Sequence, residues 1–205
     1  VDEAAQLRHD DGDAALMFAA LCHDFGKPET TFQDAQGRIR SPAHDTKGIT
    51  PTQTFMGALK QGQPLIHCVS VLVATHLSPA LLVQQSASPK AYRRLARKLD
   101  AAGASIALLV DVARADHLGR TTDDALAREV PWREPFAERA SAALTDLRAP
   151  TPAVSGRHLI ERGLRPGVEF GHILAACQDV QDETGWTDAT TILNAALENE
   201  ARAQR

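Results

Sequence analysis

The run LCHDFGKPETT, Leu21 to Thr31, sets His23 and Asp24 side by side at the end of an apolar stretch. An imidazole beside a carboxylate is a ligand pair for a divalent transition metal. Manganese, iron, cobalt, nickel or zinc suit it better than calcium, with magnesium a further option. A second pair, His9 and Asp10, sits in the polar stretch RHDDGD and reads as a loop or a helix cap. A lone pair is also what a solvated or core histidine produces, so partners decide the matter. Three later positions supply them: His44 in RSPAHDTKG, His76 in VSVLVATHLSP and Asp116 in IALLVDVARADHLGR. Taken singly, His44 also reads as a surface histidine, and Asp116 as the ion-pair partner of Arg114 or Arg120. Together, each standing at the end of an element, they match the way helical proteins collect metal ligands at one end of a core. The set predicts a centre for one or two ions.

The elements that must carry these side chains read as helices. Forty-three per cent apolar residues with only 4 % aromatic ones, rich in alanine and leucine, favour helix packed on helix, and no stretch reads as a sheet. The spacing predicts a helix from about Asp13, its N-cap, to Phe25, with Gly26 as a left-handed stop and Pro28 preventing resumption. Helices follow over about Thr46–Lys60, Pro64–Thr75, Pro89–Ala101, Ala104–Leu118 and Trp132–Leu147. The long stretch from Thr31 to Ala43 is a loop. Pro150 and Pro152 mark a linker, after which Ser155 caps a short helix ending at Gly163 and a longer one runs from Gly167 to Asp182. The expected organisation is a helical domain over 1–149 and a small helical module over 150–205.

The motifs resemble a known family, the HD-domain metal-dependent phosphohydrolases, and more narrowly the HD region of bacterial tRNA nucleotidyltransferases, the CCA-adding enzymes and related poly(A) polymerases. HDFGKPETTFQDAQGRIRSPAHDTKG is similar to that family's HD-x-GK-P-x-T segment and its second histidine. VLVATHLSP and ARADHLGR resemble its later histidine and aspartate blocks, and SGRHLIERGLRPGVEFGHILAACQDVQ the helical module that follows. The resemblance implies an HD-like all-α bundle with phosphatase or 2',3'-cyclic phosphodiesterase activity on nucleotides or RNA ends. In that scheme Asp24 is the bridging carboxylate, and His23, His44, His76 and Asp116 are terminal ligands. Lys27 neutralises the substrate phosphate. Family members carry a further ligand histidine on an earlier helix; His9 is too close to His23 to serve, so the chain reads as a segment truncated at its N-terminus. The rival expectation is a non-catalytic body that helps a separate nucleotidyltransferase head hold tRNA. No G-x-x-R-D element is present, so the chain by itself should not add nucleotides.

A formal net charge of -4 excludes nucleic-acid binding by bulk attraction and confines any RNA contact to a local surface. SPKAYRRLARKLD offers one: Lys90, Arg93, Arg94, Arg97 and Lys98 fall on one helical face and Tyr92, Leu95, Ala96 and Leu99 on the other. That basic face can track an RNA backbone, or it can be an ordinary solvated face. Cys22, Cys68 and Cys177 are scattered among apolar residues and predict buried reduced thiols in a cytoplasmic protein. No apolar run reads as long enough to span a bilayer.

Overall fold

The protein, described by a computed structural model over residues 1–8 and 13–203, is all-α, 67% helical with a single two-stranded sheet among the described residues. His9 and Asp10 lie outside the described residues. In chain order the elements are α1 (Asp2–Leu7), α2 (Ala14–Cys22), α3 (Lys27–Thr30), the hairpin β1 (Phe32–Gln33) and β2 (Ile39–Arg40), α4 (His44–Lys47) and α5 (Ile49–Ala58). Then come α6 (Gln63–Thr75), α7 (Ser78–Gln84), α8 (Pro89–Asp100), α9 (Ile106–Leu118), α10 (Asp123–Leu126) and α11 (Arg133–Ala143). The chain closes with α12 (Gly156–Glu161), α13 (Glu169–Thr184) and α14 (Ala189–Ala203).

Two apolar cores form. The larger gathers buried residues from Ala4 to Leu144, with Leu16, Met56, Leu72, Leu99 and Leu109 fully enclosed. α2 and α5 pack on α6, α2 and α1 on α9, and α11 on both α7 and α8. α6 is the central element: Ile66, Val69, Leu72 and Val73 recur at helical spacing and all face inward. The smaller core runs from Val154 to Ala196 and joins α12, α13 and α14. Removing apolar surface of this kind from water stabilises by roughly 25 cal/mol per Å².

Several elements differ from the expectation, each for a local reason. Gly26 is not a left-handed stop. Its φ is -82°, and it begins α3, in whose first turn Pro28 sits comfortably because that position needs no N–H donor. The segment after Thr31 contains a short antiparallel hairpin, pairing Phe32 with Arg40 and Gln33 with Ile39. Asp34 closes its turn by accepting the N–H groups of Gln36 and Arg38, with Gly37 left-handed at φ 78°. α7 (Ser78–Gln84) is a helix absent from the expected set, with Pro79 in its first turn. Asp13 makes no side-chain cap bond to α2. The C-terminal region has a third helix, α14, beyond the two expected, and Asp188 ahead of it accepts both the N–H and the hydroxyl of Thr191.

The expectation about bilayer-length segments is also corrected. Gln63–Gln84, 22 residues, is long and apolar enough by composition. It is α6 and α7 joined through a turn at His76 and Leu77, and 56% of its apolar window is buried inside the fold, so core packing accounts for its character. Cys22, Cys68 and Cys177 are free and buried, as expected.

Candidate metal centre

His23 is the C-cap of α2, its N–H bonded to the Ala19 carbonyl, and Asp24 follows in the turn before α3. His44 opens α4, and His76 caps α6. Asp116 lies in the last turn of α9. Four separate elements therefore bring their ends to one place. Gly26 makes the tightest approach: a Cβ there would stand 2.1 Å from the His44 carbonyl oxygen and 2.7 Å from the Gly48 nitrogen. Only a residue without a side chain lets the backbone around His44 come beside the His23–Asp24 turn.

All three histidines are oriented by one device. The Nδ1 of His23 donates to the Ala20 carbonyl at 2.9 Å, that of His44 to the Ser41 carbonyl at 2.7 Å, and that of His76 to the Val73 carbonyl at 2.7 Å. Each partner lies three residues earlier, and a carbonyl only accepts, so Nδ1 holds the hydrogen in every case. Nε2 is thereby the face each ring presents. This backbone anchoring is the usual outer support of a metal-ligating imidazole.

The Nε2 atoms of His23 and His44 converge on carboxylates. His23 Nε2 is 3.3 Å from Asp24 Oδ2 and 3.3 Å from Asp116 Oδ1, and His44 Nε2 is 3.5 Å from Asp24 Oδ1. The His76 ring lies 5.3 Å from the rings of both His23 and His44. Ligand atoms of Asp24, His44 and His76 all fall within 4.8 Å of one another. His76 is 2% exposed, and its buried Nε2 has no hydrogen-bond partner. A buried acceptor left unsatisfied costs about 1–3 kcal/mol, a cost that a cation bound at this nitrogen would remove. Lys27 Nζ lies 2.6 Å from Asp24 Oδ2, and Arg120 pairs with Asp116 Oδ2.

The charges follow from these contacts. Burial disfavours the His23 imidazolium, but hydrogen bonds to Asp116 and Asp24 outweigh it and lift its pKa to about 9. Burial likewise opposes the Asp24 carboxylate, yet His23 and Lys27 bring it down to about 2. Asp116, with His23 and Arg120 against it, is also held well below the ordinary range despite its burial. Burial pushes His76 down, which keeps it neutral and available as a ligand. Imidazole nitrogens and carboxylate oxygens gathered around a buried Nε2 without a partner form a group able to hold a metal ion. Of the expected ligands, His23, Asp24, His44, His76 and Asp116 all meet, and Lys27 stands beside them. Of the two arginines the sequence offered as partners of Asp116, Arg120, one helical turn later, makes the pair, and it does so while Asp116 also meets His23.

The expected RNA-binding face lies elsewhere and is covered by the chain's own acidic groups. Lys90 pairs with Glu183, Arg94 with Asp179, and Arg97 with Asp182 at 2.7 Å. Arg93 donates to the Asp182 and Ala143 carbonyls, and Arg97 also to the Pro150 carbonyl. Lys98 stays exposed. Four of the five cations of this stripe on α8 contact α13, and Arg94 and Lys98 remain exposed to solvent.

Fold and site together define an all-α protein with a histidine–aspartate group able to hold a metal ion. Comparison with protein-family models, with curated proteins and with solved structures finds no match to any of them.

Proposed function

We propose that the chain carries a metal-dependent phosphohydrolase site of the HD type, which acts on phosphate esters of nucleotides or RNA ends. The observation that carries this reading is the shared anchoring of three histidines through Nδ1, with Nε2 of His23 and His44 facing Asp24 or Asp116 and Nε2 of His76 buried without a partner. The motif resemblance supports it: the five residues of the HD-like pattern are those that meet. Asp24, His23, His44, His76 and Asp116 would hold one or two ions of manganese, iron, cobalt, nickel, zinc or magnesium, with Asp24 as the carboxylate they would share. Bound there, a divalent cation supplies Lewis acidity to water and to phosphoryl oxygens.

The chain's own groups then do the rest. Asp24 and Asp116 remain ionised at neutral pH and balance cationic charge. Lys27, on a partly exposed side chain, can turn its ammonium from Asp24 to a phosphate oxygen. In hydrolysis a water oxygen forms the new bond to phosphorus while the ester P–O bond breaks, and the departing alcohol takes a proton. With a 2',3'-cyclic phosphodiester the same exchange opens the ring and leaves a monophosphate. The alternative, a non-catalytic tRNA-holding body, has less support because the basic face it needs is packed against Asp179, Asp182 and Glu183.

The test is metal analysis of the purified protein together with hydrolysis of a 2',3'-cyclic nucleotide and a nucleoside monophosphate. Retained transition metal and metal-dependent release of product are expected, with both lost in Asp24→Ala while helical content by circular dichroism persists. Metal-free protein that neither takes up added manganese nor hydrolyses either ester would overturn the reading.

A further inference from the structure

Only residues 185–188 join α13 to α14, so the two helices pack antiparallel, and a groove of about 530 Å³ lies between them on the smaller core. Its floor is apolar, made by Ala176 and Val180 of α13 and Ala195 and Ala196 of α14. Three of these four are alanines, whose short side chains leave the space open. Residues 176, 180 and 184 recur at helical spacing, so the α13 wall extends for about 12 Å. Trp186, in the turn between the helices, lines one end. It is 44% exposed, whereas the chain's other tryptophan, Trp132, is 8% exposed. An indole left open at the end of an apolar groove has surface still to bury.

The charged side chains along this groove are not equivalent. Glu183 pairs with Lys90 and Asp179 with Arg94. Glu200, near the C-terminal end of α14 and so at the end away from Trp186, is half-buried and has no cation partner among the described residues. Its charge acts inward: after burial itself, it is the second cause that raises the thiol of buried Cys177, to about 11. Residues 151–205 carry eight acidic and five basic side chains, so the wider field also favours a cation.

We infer that this groove binds a small organic amine, its ammonium at Glu200 and its elongated apolar body lying over the alanine floor toward Trp186. None of these residues belongs to the histidine–aspartate cluster, so the inference stands apart from the phosphohydrolase reading. The volume falls within the range of small-molecule sites, and a few polar groups on an apolar lining are what such sites use to fix orientation. A neutral body of the same shape would dehydrate the Glu200 carboxylate without giving it a partner. An anion would meet Glu200 unscreened, because Lys90 is already engaged by Glu183. An inorganic cation would leave the floor and Trp186 uncovered.

Three probes with one body and different charge make the test: 4-phenylbutylamine, 4-phenylbutan-1-ol and 4-phenylbutyrate, each titrated into the full chain by calorimetry. The amine is expected to bind at least about tenfold more tightly than the alcohol, since a hydrogen bond to a charged group outweighs a neutral one, and the carboxylate more weakly than both. Glu200→Gln should bring the amine to the affinity of the alcohol and leave the alcohol unchanged. Trp186→Ala, at an open position, should weaken amine and alcohol alike. Glu198→Gln, whose carboxylate is exposed beside Arg202, should keep the preference. Circular dichroism melts confirm that each variant is folded. No binding of the amine, equal binding of the three probes, indifference to Trp186→Ala, or a preference that survives Glu200→Gln and so reflects only bulk charge, overturns the inference.

Discussion

His23 is held by both carboxylates of the cluster, and this dictates how the site responds to pH. With only protein groups around it, the ring stays protonated up to about pH 9. To serve as a ligand it must lose the Nε2 proton, so apparent metal affinity should rise by about tenfold per pH unit between pH 7 and 9 for the proton displaced. His23→Gln should bind metal more weakly and with that part of the slope gone, which a competition titration against a chelator will show. An unchanged slope would remove His23 from the ligand set and leave it as a charge bridge. Stability without metal follows the opposite sign. The His23 pKa is raised from its ordinary 6.5, so its contribution is full below pH 6.5 and is lost as pH rises through about 9. That gap corresponds to on the order of 3 kcal/mol, shared with Asp24 and Asp116. Asp24 is depressed from 3.8, so its contribution is present above pH 3.8 and fades as pH falls toward about 2. Thermal melts of metal-stripped protein should therefore drop between pH 6.5 and 9, and added zinc should reverse the trend. That His23, Asp24, His44, His76 and Asp116 come together was legible because histidine and aspartate recur at successive element ends. The pair of Asp116 with Arg120 was legible only as one of two choices, because Arg114 stands on the same helix.

At the scale of elements, the approach of α4 to the turn before α3 depends on Gly26. Gly26→Ala places a Cβ 2.1 Å from the His44 carbonyl, a backbone atom that cannot rotate away. The backbone must shift, at about 1–3 kcal/mol by analogy with overpacked cores, and His44 moves from Asp24 as it does so. A lower melting temperature and metal affinity weakened by about tenfold or more are expected. If calorimetry and metal titration both match the parent, the close approach is not what positions His44. The same glycine shows where sequence reading stopped short. A glycine after an apolar helix reads equally well as a left-handed stop or as a close contact, and only the position of residues 44 to 48 tells them apart. Pro28 was read as barring a further helix, although proline is comfortable in a first turn, where the next helix begins. The hairpin was missed because each strand has only two residues, too few for an alternating pattern, though Asp34 and Gly37 carried its turn signal. The long core helices were legible throughout, because α6, α8 and α9 repeat apolar residues at the spacing that packing demands.

Across the whole molecule, the two cores are joined by charge. The sequence displayed the cations of α8 but could not show that Asp179, Asp182 and Glu183, some ninety positions later, would meet them. Arg97 is the centre of the joint: it binds Asp182, which is 2% exposed, and the Pro150 carbonyl in the connecting segment. Gln181, itself buried, fixes the same segment through the Thr151 carbonyl and the Ala153 N–H. At the end of α13, Gly185 is left-handed at φ 74°, and a Cβ there would meet the Arg93 guanidinium at 2.7 Å. Removing one partner of a buried pair strands the other's charge, at about 3–5 kcal/mol. Arg97→Ala should therefore loosen α13 from α8 while leaving each core intact. The metal centre lies entirely in the larger core, so a bound ion stabilises that core by mass action, about 2.7 kcal/mol at a hundredfold excess over Kd. In scanning calorimetry the parent protein should unfold in one transition that rises with zinc. Arg97→Ala should split it in two, with only the transition of the larger core following zinc, and protease should cut between residues 144 and 155. A single zinc-responsive transition in Arg97→Ala would mean that apolar contact, and not this ion-paired joint, holds the C-terminal helices against the bundle.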